Sequence, residues 1–402
     1  MKIGILTNFY PPTERGGAEL VAQRIADELS VRGHKVSVLT TQPFTGPRSF
    51  RPRLVEDHLE RIFRFFPFNL YHVSNAHQYL FFLRIFWHWI DLFGPFPKSL
   101  IERFLNQEEF DVVLTHNLKG LGVSAARTIQ RAGIRHIHTI HDVQLSVPSG
   151  ILLFGKEQGM LNSGWIRGLY EKAMRHAIGS PNLVISPSHF LADFYRARGF
   201  FSNTDVRIMP NPAPKSTDRI LRSAQALSGP LRFLFVGQLE SHKGIHVLLQ
   251  AAAAMTVPIQ LHFVGEGTHT QEIIARSKED PQIFSHGFLP LEHIRRLMSQ
   301  CDAVILPSLC YENSPTVLYE SFQIGAPVIA SRIGGIPELV KHEENGLLVE
   351  PGSVEALVSA MNQFVNRREE FWQKGPSIRK AAEVFSLKKY VDVLEGLLKE
   401  EK

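Results

Sequence analysis

Short apolar runs, each followed by a segment of helical period, recur along the whole chain, and few folds accommodate that alternation. KIGILTNF (2–9) and KVSVLTT (35–41) read as strands. Between them AELVAQRIADELSVRG (18–33) has helical spacing and ends at Gly33, a helix-stopping glycine. DVVLTH (111–116), RHIHTIHD (135–142) and NLVISPS (182–188) continue the series, and VRIMPNP (206–212) closes it. After a polar segment (213–230) the pattern restarts with LRFLFVG, IQLHFVG, DAVILPS, APVIAS and GLLVE. Strand, helix, strand in series implies right-handed crossovers and parallel sheets. The predicted class is α/β, as two doubly wound, Rossmann-like domains, and 402 residues suffice for two cores.

Composition narrows the setting. An apolar content of 44% and a charged content of 21% are ordinary for a globular protein. The two cysteines, Cys301 and Cys310, form no disulfide framework, so a reducing, cytoplasmic compartment is expected. The N-terminal MKIGILTNFY reads as a strand, not a signal peptide, and no apolar window is long enough for a spanning helix. Residues 1–212 carry 24 Lys and Arg against 17 Asp and Glu, a net +7, and the remainder carries 20 against 22, a net −2. A basic first half suggests an anionic partner or an anionic membrane surface. No helix-turn-helix, zinc finger or basic arm points to nucleic acid.

One stretch concentrates the chemistry. LCYENSPTVLYESFQIG (309–325) follows the apolar run DAVILPS (302–308), so it reads as strand, loop, helix. Ser314 is placed to cap that helix and Pro315 to occupy its first position. Glu312 falls in the loop and Glu320 on the second turn. The N–H groups of Thr316 and Val317 then face outward at the positive helix end, a ready anion site. The two carboxylates can accept hydrogen bonds from sugar hydroxyls.

The spacing of Glu312 and Glu320 resembles the E-x7-E pattern of the family 4 retaining glycosyltransferases. The likeness continues through Gly325, Ala326, Pro327, Val328 and Ile329, then Gly334, Gly335, Ile336, Pro337 and Glu338, and on to Asn345, Gly346 and Leu347. It implies the GT-B fold, two Rossmann-like domains facing across a cleft. Residues 1–212, with a crossover helix at 385–402, would form the acceptor-binding domain, and 213–384 the donor-binding domain. It also implies that Glu312 holds the donor sugar, that Glu320 accepts from the ribose, and that Asn313, Ser314, Pro315, Thr316 and Val317 line the donor.

Other motifs extend the resemblance. FVGQLESHKGIHVLLQA (235–251) matches a family motif whose arginine and lysine bind the donor diphosphate. Lys243 and Gly244 fit it. Gln238 stands where arginine is usual, and glutamine can donate a hydrogen bond but carries no charge. Gly16 and Gly17 resemble the glycine loop that lets backbone approach a phosphate. His141, at the end of a strand, matches the histidine that faces the donor sugar, while Asp142 either joins it or caps the next turn. Gly265 in VGEG and Gly287 in HGFLP resemble loops that touch the nucleotide. The chain lacks an Asp-x-Asp triplet, so no metal or other cofactor is expected.

The acceptor side is aromatic. Residues 61–105 carry an unusual load of Phe, Trp and Tyr, and Arg48, Arg51, Arg53, Arg61 and Arg64 lie beside or within it. These helices either cover the N-terminal sheet or meet an anionic membrane through residues 48–105, at the inner face of the cell membrane. The segment SVPSGILLFGKEQG (146–159) reads as a long binding loop over the sheet. The expected function is transfer of a sugar from a nucleotide-sugar, UDP favoured and GDP open, to a glycan or lipid-linked acceptor in cell-surface polysaccharide or glycolipid synthesis. The alternatives are a sugar-nucleotide epimerase of the same fold and a non-catalytic binding protein.

Overall fold

The computed structural model describes residues 1–12, 16–57, 59–94, 96–159, 164–215, 220, 222 and 229–400. The chain divides into two compact units. The first comprises Met1–Ile151, Gln158–Pro212 and Leu387–Lys402, and the second Leu152–Glu157 and Ala213–Ser386. Much of the polar segment 213–230 and the residues just before Gly16 lie outside the described residues.

In the first unit eight strands form one sheet: β1 (Lys2–Leu6), β2 (Lys35–Thr41), β3 (Arg53–Asp57), β4 (Arg61–Phe65), β5 (Val112–Thr115), β6 (Arg135–Thr139), β7 (Leu183–Ser186) and β8 (Asp205–Ile208). Their order is β3-β4-β2-β1-β5-β6-β7-β8. All neighbours run parallel except β3 and β4. Apart from Lys2 at the start of β1, the central strands are buried, which is why they read as apolar runs. The order reverses between β1 and β5, so the carboxyl ends of those strands open a crevice.

The C-terminal helix Leu387–Lys399 belongs to this unit. Leu387, Tyr390, Val391, Leu394, Leu397 and Leu398 recur at helical spacing and join one core with Val21, Ile25 and Leu29 of the helix Gly17–Val31. Each such side chain contributes roughly 1.5–3 kcal/mol of burial. Arg135 also donates to the Leu397 carbonyl at 2.9 Å.

The second unit holds β9 (Leu231–Val236), β10 (Ile259–Val264), β11 (Ile283–Ser285), β12 (Ala303–Leu306), β13 (Val328–Ser331) and β14 (Gly346–Val349), all parallel, in the order β11-β10-β9-β12-β13-β14. Its apolar clusters lie around Phe233, Phe235 and Phe263, and around Leu318, Phe322 and Val328. The reversal here falls between β9 and β12. The loops after those two strands therefore meet at one crevice mouth.

Three expectations need correction. The loop 146–159 is not one piece: Leu152–Glu157 belongs to the second unit, where Leu153 forms an antiparallel bridge to Cys310 and Tyr311 N–H donates to the Leu152 carbonyl at 2.9 Å. Backbone pairing with a partner far along the chain leaves no periodic trace. Arg64 does not join the exposed arginines. It is buried and donates to the carbonyls of Tyr10 and Pro11, because β4 turns it inward beside β2. Ser314 is not the cap of the next helix, as described below.

Candidate active site

The loop after β9 and the loop after β12 bring Lys243 and Glu312 together. Lys243 Nζ donates to Glu312 Oε1 at 2.6 Å, and Ser308 Oγ donates to the same oxygen at 2.9 Å. The two loops are also stitched by backbone, with Leu309 N–H donating to the His242 carbonyl at 2.9 Å. Gly244 makes the approach possible. Its φ is +78°, and a Cβ there would stand 1.9 Å from the Pro307 carbonyl oxygen. Glu312 is held from its other side by Gly335 N–H, which donates to its carbonyl at 2.7 Å. A Cβ on Gly334 would lie 2.1 Å from that carbonyl oxygen.

Burial pushes the Glu312 carboxyl up, but the Lys243 ammonium and the hydrogen bonds from Lys243 and Ser308 outweigh it and hold the group below its ordinary value. Burial likewise presses Lys243 down, and Glu312 more than restores it, leaving the ammonium above its usual value. The pair is therefore ionised across neutral pH. Burial and the neighbouring Glu312 carboxylate push the Cys310 thiol up to about 12, so it is no thiolate nucleophile.

The helix Thr316–Ile324 starts beside this pair. Pro315 occupies its N-cap position and no side chain caps it. The Ser314 hydroxyl bonds the Tyr319 hydroxyl at 2.5 Å instead, which corrects the expected cap. The amide groups of Thr316 and Val317 thus stand at a helix start with no side chain serving them, beside Lys243 and Glu312. Asn313 is buried in the loop before the helix, and Glu320 is buried on the helix, 6% exposed.

The remaining expected residues of this unit sit on neighbouring strand ends. Gln238 is exposed just after β9. Gly265 N–H donates to the Gly287 carbonyl at 2.8 Å, and Gly237 N–H to the Val264 carbonyl at 3.0 Å, so the loops after β9, β10 and β11 form one rim.

In the first unit, Gly16 precedes and Gly17 opens the helix that follows β1. His141 lies past the end of β6, its Nε2 2.9 Å from Nδ1 of His116, with the rings stacked at 5.2 Å. Burial lowers its pKa to about 4, so at pH 7 it is a neutral, hydrogen-bonding imidazole. A cavity of about 30 Å³ is lined there by His116, Asn117, His138, His141, Asp142 and Tyr195. Asp142 accepts from Gln144 N–H at 2.8 Å and so caps the following turn. His136 and His138 both bond Thr115 Oγ1 at 2.8 Å and are part of the core.

Sequence reading missed Ser308, which orients Glu312, and the pairing of Leu153 with Cys310. Ser308 carried a faint signal as the last residue of an apolar strand, where switch-point ligands arise. The 152–157 segment carried none.

Comparison with known proteins identifies the family and the fold. The family model described as Glycosyltransferase Family 4 matches residues 15–215, and that described as Glycosyl transferases group 1 matches residues 217–380. A putative teichuronic acid biosynthesis glycosyltransferase, TuaC of Bacillus subtilis, is 24% identical over 93% of this chain and 91% of its own length. Among solved structures, a sucrose-phosphate synthase from Thermosynechococcus elongatus superposes with a TM-score of 0.76 at 20% identity, covering 98% of each chain. Anabaena HepE in complex with UDP-glucose gives 0.69 at 18% identity, covering 98% of this chain and 100% of HepE. These likenesses establish the fold, GT-B, with its two Rossmann-like domains.

Proposed function

The chain belongs to glycosyltransferase family 4, and from that premise we propose that it moves a sugar from a nucleotide-sugar, UDP-linked by preference, to a glycan or lipid-linked acceptor with retention at the anomeric carbon. The observation that carries this reading is the 2.6 Å Lys243–Glu312 pair beside an uncapped helix start at the switch point of the second unit. A diphosphate seated on the N–H groups of Thr316 and Val317 engages the Lys243 ammonium, and charge building on the departing phosphate meets a fixed cation and a helix dipole. Glu312, released from part of its bond to Lys243, accepts from sugar hydroxyls, and Glu320 accepts from the ribose. Charge stabilisation of this kind needs no metal. The leaving phosphate takes the acceptor proton on the face it vacates. The contacts of His141, Gly16 and Gly17 with the donor remain expectations from the family resemblance. Relatives named for polysaccharide synthesis and the UDP-glucose complex of HepE support the substrate class.

A thermal-shift series tests it. UDP or a UDP-sugar at about 100 times its Kd is expected to stabilise the fold by about 2.7 kcal/mol and raise the melting temperature by several degrees. GDP and ADP should do less. Failure of every nucleotide to shift the melting temperature overturns the reading, and sugar transfer without anomeric retention overturns the stereochemistry.

We propose in addition that the first unit meets an anionic membrane. The helix Phe81–Phe93 buries Trp87 and Asp91 but exposes Phe82, Ile85, Phe86 and Trp89 at i, i+3, i+4 and i+7, each 55–62% exposed. Trp165, Ile166 and Leu169 are exposed on the helix Gly164–Ile178, which packs nearby. Arg48, Arg51, Arg53, Arg84 and Lys172 are exposed on the same unit. Apolar stripes beside cations suit a headgroup region. No helix among the described residues is long and apolar enough to cross a membrane. Co-sedimentation with vesicles containing anionic lipid is expected to fall at least tenfold for Phe86→Asp/Trp89→Asp. Equal binding of that variant and the parent sinks the proposal.

A further inference from the structure

A second cluster in the donor-side unit matches no part of the transfer chemistry. His246 lies on the first turn of the helix Ile245–Ala253, and His269 and Glu272 lie at the start of the helix Thr270–Glu279. Nδ1 of His269 is 3.0 Å from Glu272 Oε2, and Nδ1 of His246 is 3.8 Å from Glu272 Oε1. The donor atoms of all three lie within 4.8 Å of one another. The imidazoles stand nearly perpendicular, 84° apart, with centroids at 4.5 Å.

We propose that His246, His269 and Glu272 bind a divalent transition-metal ion of the Zn²⁺ class. Two imidazole nitrogens and a carboxylate oxygen are the donor set such ions favour, and a tetrahedral site places neighbouring ligand atoms about 3.3 Å apart. The two separations, one to each oxygen of the Glu272 carboxylate, bracket that spacing, and a small rotation of the half-exposed His246 ring closes the wider one. The outer contacts are also in place. Nε2 of His269 lies 2.7 Å from Ser241 Oγ, so the serine oxygen can accept a hydrogen bond from Nε2–H and leave the Nδ1 lone pair for the ion. Thr268 is fixed in turn, its N–H donating to Glu240 Oε1 at 3.0 Å and its hydroxyl to Glu240 Oε2 at 2.8 Å. Three protein ligands leave a fourth position for water.

The location gives the ion a purpose. Ser241 opens the short turn Ser241–Lys243, which carries the lysine that pairs with Glu312. An ion on His269 therefore ties that turn to the helix Thr270–Glu279, outside the reacting centre. It acts as a structural clamp, and the missing Asp-x-Asp triplet says nothing about it. Arg276 Nε, 3.3 Å from Glu272 Oε1, is the built-in competitor for the carboxylate.

Metal-stripped protein titrated with Co²⁺, read by visible d–d absorption, and with Zn²⁺, read by calorimetry, tests this independently of sugar transfer. One ion per chain is expected. His269→Ala and Glu272→Gln should each weaken binding at least tenfold, and Ser241→Ala roughly tenfold. Arg276→Gln should tighten it, and the exposed His293→Ala should leave it unchanged. Zn²⁺ should raise the melting temperature of the parent and not of His269→Ala, with circular dichroism verifying that the variants fold. Absence of saturable binding, equal affinity in His269→Ala and the parent, or an equal loss in His293→Ala overturns the assignment.

Discussion

Replacing Lys243 by methionine is expected to lower turnover by a factor of about 10²–10³, the usual cost of removing one fixed group that stabilises developing charge. Replacing Glu312 by glutamine should cost a similar factor. Activity alone does not separate a catalytic pair from a structural one, because each single change leaves a partner buried and uncompensated. Such a loss destabilises by about 3–5 kcal/mol. The double variant Lys243→Met/Glu312→Gln decides between the two. It removes both charges, so its stability should recover most of that loss while its turnover stays at or below that of the single variants. Recovery of turnover along with stability would mean that the 2.6 Å pair serves the fold and not the reaction. Between pH 6 and 9 the pair should contribute no titration to the rate. Glu312 is held below its ordinary value and Lys243 above its own, so the interaction weakens only as pH falls through the first or rises through the second.

Lowering the pH from 7 to 5 is expected to destabilise the first unit by about 4 kcal/mol, which on a unit of this size lowers its melting temperature on the order of 10 °C. The cause is histidine buried neutral around β5 and β6. Burial lowers His136, which is fully buried, to about 3, and His141 to about 4. His116 and His138 are held well below the ordinary value by burial and by their histidine neighbours. These groups bind fewer protons folded than unfolded, so stability is present above the unfolded value of about 6.5 and drains away as pH falls toward the folded one. At pH 5 His136 and His141 cost about 2 kcal/mol each, which makes up the total of about 4, while His116 and His138 act in the same sense against the raised carboxyls. Asp91 works in the opposite sense. Burial raises it to about 7, so its contribution is present at low pH and lost as pH rises. Asp142 is raised by burial too, and the two carboxyls offset part of the histidine effect. Thermal melting at pH 7, 6 and 5 measures the slope, and His136→Gln should flatten it by about one group's share. A melting temperature that is constant or rises on acidification would contradict the burial argument.

The strands were legible because a strand buried on both faces must be apolar at every position, whatever lies beside it. KVSVLTT coincides with β2, and DAVILPS contains β12. The C-terminal segment shows an apolar stripe at helical period, but its place on the first unit came from the family resemblance and not from that period. Glu312 in a loop and Glu320 on the following second turn are local facts, separated by one helix start, and the structure places them so. Which residues meet across the fold was another matter. Lys243 and Glu312 are 69 positions apart, and they touch because β9 and β12 are neighbours in the sheet order. Strand order leaves no periodicity in a chain. Tertiary packing also decided that Arg64 turns inward while Arg48 stays outside, that Asp142 caps a turn while His141 lines a cavity, and that Leu152–Glu157 pairs beside Cys310. It exposed one stripe of the aromatic helix and buried its opposite face, although both are rich in apolar side chains. Composition and period report what a segment can bury. Only the assembled layers determine which of its faces is covered and which distant groups share a crevice.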